Sequence, residues 1–143
     1  MIVKLYEKQL ESKKEFDLIL ITDQVREAVA DSGVKDGLCA VITQHTTTGI
    51  MVNEGLPDVE KDIEILLEKL VPHDDPYVHT RMLPSYGTCS GNSPGHLKSL
   101  LAGNHCLFPV IDGKLVLGHA QDIYFAEFDG LLRRKYYIHI MGE

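Results

Sequence analysis

The sequence predicts an α+β fold: a largely antiparallel β-sheet or sandwich carrying about three helices. Three observations carry that expectation. β-prone runs outnumber helical ones, most of them are joined by short polar or Asp-Gly turns, and only one long stretch, Pro57 to Leu70, repeats its apolar residues at helical spacing. The 143 residues are expected to form a single domain, residues 1–143, with no internal repeat or low-complexity segment.

Taken in order, "IVKLYEKQLE" and "EFDLILITD" read as two strands joined through the polar turn "SKK", which predicts a hairpin. Thr22 or Asp23 is the expected cap of a short helix, "QVREAVADSG", with Val25 and Val29 on its buried face and Gly33 as its stop. "GLCAVITQHT" is β-branched and apolar, a strand. The next helix begins at Pro57, with Asp58 and Glu60 complementing its dipole, and Val59, Ile63, Leu66, Leu67 and Leu70 form one apolar stripe. From Val71 to Gly95 no period is sustained, and loops of that length in a compact domain usually serve function or motion. Ser93 as N-cap and Pro94 at the first helical position then open a helix over "GHLKSLLAG", which stops at Gly103. "HCLFPVI", "KLVLGHAQDIYFAEF" (bent at Gly118) and "RRKYYIHIM" close the chain as strands, with Asp112-Gly113 and Asp129-Gly130 as hairpin turns.

Composition excludes several function classes. A net charge of −7 argues against a nucleic-acid partner, whose phosphates demand a basic footprint. The clusters Lys13-Lys14 and Arg133-Arg134-Lys135 read as solvated turn or edge-strand charges. No apolar run reaches ~18 residues, so no membrane partner is expected, and the charged, alternating start is neither a signal nor a transit peptide. Cys39, Cys89 and Cys106 make no C-x-x-C, which points to a reducing, cytoplasmic setting and to neither disulfides nor a thiolate zinc knuckle.

Chemistry concentrates in "VITQHTTTGIMVNEG" and the loop beyond it. A packing strand has no need of His45, Asn53 and Glu54. An unbroken strand between His45 and Glu54 would hold them ~30 Å apart. A shared site therefore needs a fold-back at Thr-Thr-Thr-Gly or a second subunit; otherwise the two are a half-buried histidine and an exposed glutamate. His96, in the first turn of its helix, lies where free backbone N–H groups can receive an anion, after the glycine-rich "GTCSGNSPG". His73 and His79 in the long loop, near a third histidine, are compatible with zinc, although this spacing also suits solvent-exposed side chains. His105, His119 and His139 are read as packing or surface residues. Glu54 and Asp62 are the carboxylates available for acid–base work. Neither a Walker loop nor G-x-S-x-G is present.

Taken together, "QHTTTGIMVNEG", "YVH", "GNSPGHLKSLL" and "DGKLVLGHAQDIYFAEFDG" resemble the YjbQ family, in order from about Leu38 to Gly142. The family pattern falls on His45-Thr46-Thr47, Asn53-Glu54, Asp62, His79, Asn92 with His96, and Leu117-Gly118 with Gln121. One departure is plain: Ala120 stands where the family has tryptophan, so an aromatic wall for a substrate ring is missing or replaced. The resemblance implies a homotrimer with histidine-lined pockets near subunit interfaces, and a secondary thiamine-phosphate synthase activity. It suggests His45, His79 and His96 as ligands of a divalent metal (zinc or magnesium) or as acid/base groups, Glu54 as general base, and Asp62 orienting a ligand histidine. Asn53, Asn92, Ser93, Lys98 and Gln121 would hold a small phosphorylated substrate. Two other readings remain: a metal-dependent phosphate-ester hydrolase using the same pocket, and a non-catalytic trimeric metal- or small-ligand-binding module.

Overall fold

This computed structural model describes residues 1–80, 82–83, 87–88 and 91–143. The strands are β1 (Ile2–Glu11), β2 (Asp17–Leu20), β3 (Gly37–Thr43), β4 (Thr48–Asn53), β5 (Met82–Leu83), β6 (Gly87–Thr88), β7 (His105–Ile111), β8 (Lys114–Leu115), β9 (Asp122–Glu127) and β10 (Arg133–Gly142). The helices are α1 (Thr22–Ser32), α2 (Pro57–Leu70) and α3 (Ser93–Ala102), with a 3-10 turn at Val78–Thr80. Two sheets carry the fold, one ordered β1-β10-β3-β7-β8 and one ordered β2-β9-β4, and β5 pairs separately with β6. Neighbouring strands in both sheets are antiparallel, as expected for the α+β class.

Apolar residues of the two sheets meet face to face with α1. Val41, Val110, Ile138 and Ile140 from the larger sheet, Ile50, Ile123 and Phe125 from the smaller, and Val25 and Val29 from α1 form one buried cluster. The opposite face of the small sheet presents Ala126, and with Phe128 and Leu67 of α2 it forms a second, smaller cluster. β9 is therefore covered on both sides, and its residues Ile123 to Glu127 are buried without alternation. Gly33 ends α1 in the left-handed region at φ 78°, as its position predicted.

Four sequence expectations are corrected here. β1 and β2 are both strands but not a hairpin, because β1 pairs with β10 and β2 with β9; "SKK" is the crossing between sheets, pinned where Leu132 N–H donates to Ser12 Oγ at 2.9 Å. Asp129-Gly130 likewise joins strands of different sheets, whereas Asp112-Gly113, with φ 53° and 74°, does close the β7–β8 hairpin. The run from Lys114 to Phe128 divides into β8 and β9 in separate sheets. Finally, the N-cap positions are Ile21 for α1 and Asn92 for α3, neither with a side-chain cap bond. Thr22 Oγ1 instead donates to Asp122 Oδ1 at 2.6 Å and accepts from Ile123 N–H at 2.9 Å, joining α1 to β9.

Helix α3 seats closely on β4. Ser99 Oγ donates to the Thr48 carbonyl at 2.5 Å, and Ile50 N–H donates to Gly103 O at 3.1 Å. A Cβ on Gly49 would stand 2.8 Å from Ala102 Cβ and 3.0 Å from Gly103 O. Gly49→Val is therefore expected to force α3 off the sheet and lower stability by about 1–3 kcal/mol, as an overpacked core does, read as a lower urea midpoint with an unchanged slope.

Candidate functional site

The chain does turn at the threonine run. β3 ends at Thr43, β4 starts at Thr48, and each residue from His45 to Thr48 is tied to a neighbouring part of the fold. His45 Nε2 accepts the Lys135 main-chain N–H at 2.9 Å, one residue before the β10–β3 ladder begins at Tyr136 and Thr43. The imidazole thus replaces the strand that has just turned away. The Thr46 carbonyl meets His96 Nδ1 at 3.2 Å. Thr47 Oγ1 accepts from the Arg134 guanidinium at 2.7 Å, and its carbonyl accepts Phe128 N–H at 3.1 Å. Thr48 Oγ1 pairs with Thr43 Oγ1 at 2.7 Å across the bend.

His45 and His96, brought together in this way, line one open cavity of about 450 Å³ with Thr46, Ser99, Leu100, Gly103 and Asn104. Their hydrogen bonds fix their tautomers. A backbone N–H can only donate, so Nε2 of His45 is the unprotonated nitrogen and the neutral ring carries its proton on Nδ1. A carbonyl can only accept, so His96 is protonated on Nδ1 and keeps an open Nε2 lone pair. Beyond these two bonds His45 retains a donor, Nδ1–H, and His96 an acceptor, Nε2. His79, from the 3-10 turn, stands edge-on to His96 with ring centroids 5.2 Å apart.

The other expected site residues lie elsewhere in the chain. β4 carries Asn53, and Glu54 just beyond it, about 20 Å along its length away from the bend, and Glu54 N–H donates to Asn53 Oδ1 at 2.8 Å. Asp62 is exposed on α2. The fold-back therefore exists, but it points β4 away from His45, and one chain does not join His45 to Glu54. Asn92 Nδ2 donates to Asp129 Oδ2 at 3.0 Å, while its buried Oδ1 has no partner among the described residues. Ser93 is buried at the start of α3. Lys98 is buried on the other side of that helix, ion-paired with Glu68 in a separate cavity of about 390 Å³ that includes Phe16 and His73. Two residues apart on a helix, His96 and Lys98 face opposite ways. Gln121 Oε1 accepts Gly118 N–H at 2.7 Å and closes a turn. Cys89 and Ser90 of the glycine-rich run lie outside the described residues.

The sequence reading missed the buried ion pair behind the site, and Arg134 corrects the expectation of a solvated basic cluster. Arg134 is 6% exposed and Glu127 wholly buried. Arg134 Nε donates to Glu127 Oε1 at 2.8 Å and Nη2 to Oε2 at 2.6 Å, while Ser12 Oγ and Asp129 N–H donate to the same carboxylate at 2.7 and 3.1 Å. Arg133 and Lys135 are exposed, as expected. A signal existed: Arg134 is in phase with Tyr136, Ile138 and Ile140, every second residue of β10 and all buried, and Glu127 sits inside the apolar run "IYFAEF".

As for a metal, His79 and His96 are an adjacent imidazole pair, and His96 holds its Nδ1–H on a carbonyl in the manner of ligating histidines. His45 has its Nε2 lone pair on Lys135 and its proton on Nδ1, so it presents no lone pair for coordination. No group of three His, Cys, Asp or Glu side chains with metal-holding geometry occurs among the described residues. Among the described residues the His79–His96 pair therefore offers two imidazoles side by side, short of a complete ligand set.

Burial and the neighbouring Arg134 guanidinium depress the His45 pKa, Lys135 adding to this and Glu127 opposing it. Because the folded value lies below the ordinary 6.5, the unfolded chain binds the extra proton first. The stability from neutral His45 is full above that pH and is lost as pH falls through it toward the folded value. His45→Gln keeps an acceptor for Lys135 N–H but cannot titrate. Melting curves from pH 8 to 5 are expected to show a smaller acid-side loss in midpoint for His45→Gln than for wild type.

Comparison with known proteins agrees with this architecture. Residues 6–143 match the family model described as UPF0047 protein YjbQ-like. A UPF0047 protein of Methanocaldococcus jannaschii is 38% identical over 144 residues, covering 100% of this chain and 98% of that protein. The UPF0047 protein YugU of Bacillus subtilis is 36% identical, covering 94% and 96%. Among solved structures, a YbjQ-like protein of unknown function from Sulfolobus solfataricus P2 superposes with a TM-score of 0.92 at 30% identity, covering 99% of this chain and 98% of that one. An uncharacterized conserved protein from Clostridium acetobutylicum gives 0.86 at 39% identity, covering 95% and 99%. The fold, the order of its motifs and these matches agree: the chain belongs to the UPF0047, or YjbQ, family.

Proposed function

We propose that this protein is an enzyme acting on a small phosphorylated substrate in the His45–His96 cavity, with thiamine-phosphate synthesis as the reaction to test first. The observation that carries the reading is the pairing of a fixed donor, His45 Nδ1–H, with a fixed acceptor, His96 Nε2, in one solvent-open cavity. In that reaction the carbon–oxygen bond of hydroxymethylpyrimidine diphosphate breaks, its electron pair leaves with pyrophosphate, and the thiazole nitrogen lone pair forms the new carbon–nitrogen bond. His45 Nδ1–H suits the developing charge on the leaving oxygen, and His96 Nε2 suits an N–H or O–H of the bound ring. A divalent metal bound by His79 and His96 would instead take that Nε2 lone pair and supply charge neutralisation for phosphate oxygens.

Our reading also includes a homotrimer. Ile65, Leu66 and Leu70 of α2 and Leu97, Leu100 and Leu101 of α3 are exposed in the single chain. Leu66 and Leu101 line one apolar cavity, and Leu100 lines the histidine cavity. A neighbour seated on this face would wall the histidine site, and Glu54 and Asp62 of that neighbour are the carboxylates on offer to complete it. Leu100→Glu, at a residue 77% exposed, is expected to convert a trimer to monomer in sedimentation velocity while the isolated fold melts cooperatively.

The His79–His96 pair favours one alternative, a phosphate-ester hydrolase with metal-bound water. Two assays separate them: thiamine phosphate formed from both precursors, and phosphate released from p-nitrophenyl phosphate alone. Synthase turnover that falls about 10²–10⁴-fold in His96→Ala supports our reading. Phosphate release without synthesis would replace it, and stoichiometric binding with no turnover would replace both with a binding module.

A further inference from the structure

The buried pair Arg134–Glu127 stands outside the histidine cavity, yet its ties lead to it. We propose that Arg134, held in register by Glu127, is a positioning residue: through Thr47 Oγ1 it sets the bend so that His45 meets the Lys135 N–H and is held as the Nδ1–H tautomer.

The geometry leaves this network few other purposes. A buried guanidinium could satisfy a buried carboxylate anywhere in the sheet. Here its Nη2 also reaches 2.7 Å to Thr47, two residues beyond His45, while the next residue of β10 gives its N–H to the His45 ring at 2.9 Å. Two successive residues of one strand thus grip two alternate residues of the bend, one by side chain and one by main chain. Glu127 is fixed in turn by the Ser12 hydroxyl and the Asp129 N–H, so the crossings that follow β1 and β9 close on the same carboxylate. Gly95 completes the arrangement: a Cβ there would lie 3.3 Å from Thr47 Cγ2 and 3.1 Å from Phe128 O, so the α3 turn that carries His96 is packed on the same bend. Free imidazole carries no such constraint, and the two tautomers interchange when neither nitrogen has a dedicated partner. A ring that alternates would be a donor part of the time and an acceptor part of the time, and the complementary pairing with His96 would be lost. The inference deepens the function proposed above and rests on it only for its catalytic meaning; the tautomer itself can be read without turnover.

The test uses the full-length protein labelled with ¹⁵N-histidine and long-range ¹H–¹⁵N correlation spectra at pH 7.5, His45 being assigned by its loss in His45→Gln. Wild type is expected to show His45 with a pyrrole-type Nδ1 and a pyridine-type Nε2. Arg134→Gln is the direct variant, but it leaves Glu127 buried without its partner and can fail to fold. Thr47→Val removes only the link, keeping both the ion pair and the side-chain volume. In Thr47→Val the His45 nitrogens are expected to move toward averaged values, with the Nδ1–H share dropping at least twofold, while His96 keeps its Nδ1–H signature and the melting transition stays cooperative. Wild-type His45 protonated on Nε2 would overturn the proposal, and so would a Thr47→Val spectrum with His45 unchanged, since Lys135 alone would then suffice. If the tautomer shifts as expected while neither synthase nor phosphatase turnover is detectable in wild type, the positioning role stands and the proposed reaction falls.

Discussion

The buried bidentate pair between Arg134 and Glu127 is the constraint on which the rest of the site depends. It spans the two sheets, since Glu127 ends β9 in the small sheet and Arg134 is the second residue of β10 in the large one. Hydrophobic burial brings sheets together without specifying their offset, because apolar contact is non-directional. A guanidinium fork on a carboxylate is directional and tolerates little slippage. Neither charge can return to water without opening the sandwich, so removing one partner would leave the other buried alone. The pair therefore does for the register between sheets what a ladder of hydrogen bonds does within one.

From that fixed point the site is assembled by short, local steps. Phe128 and Asp129 follow Glu127, and their N–H groups go to Thr47 O and Glu127 Oε2. Lys135 follows Arg134 and holds His45. Helix α3 docks on β4 through Ser99 and the bare backbone at Gly49, which brings His96 to Thr46. Within one chain this produces a pair of imidazoles of opposite hydrogen-bonding sense, with a third, His79, against the second. The same docking leaves an apolar strip of α2 and α3 uncovered beside them.

Much of this was legible in the sequence because it follows from periodicity. The helical stripe from Val59 to Leu70, the Pro57 helix start, the Gly33 stop and the Asp112-Gly113 hairpin each depend on a few consecutive residues and appear where expected, and α3 starts one residue earlier than its Ser93-Pro94 signal implied. What local pattern cannot carry is which strand pairs with which. "SKK" and Asp129-Gly130 have hairpin chemistry, but both are used to change sheets, because Ser12 and Glu127 find each other across 115 positions. The same limit explains the histidines. His45 and His96 were identifiable as unusual residues, whereas their tautomers are set by Lys135 and Thr46, partners that only the tertiary fold supplies. Lys98, two residues from His96, read as part of the same site until helical geometry turned it toward Glu68 and Phe16.

The donor that fixes His45 is a main-chain N–H, and this has a consequence for how the site tolerates variation. Any of nineteen amino acids at position 135 supplies the same group in the same place, since its direction is dictated by the β10 strand; proline alone lacks it. The exposed Lys135 side chain can therefore drift in type across generations while the lock beneath it persists. For this bond position 135 excludes proline and asks nothing of the side chain. The component of the site that most directly holds the His45 ring is thus carried by the backbone and not by a side chain.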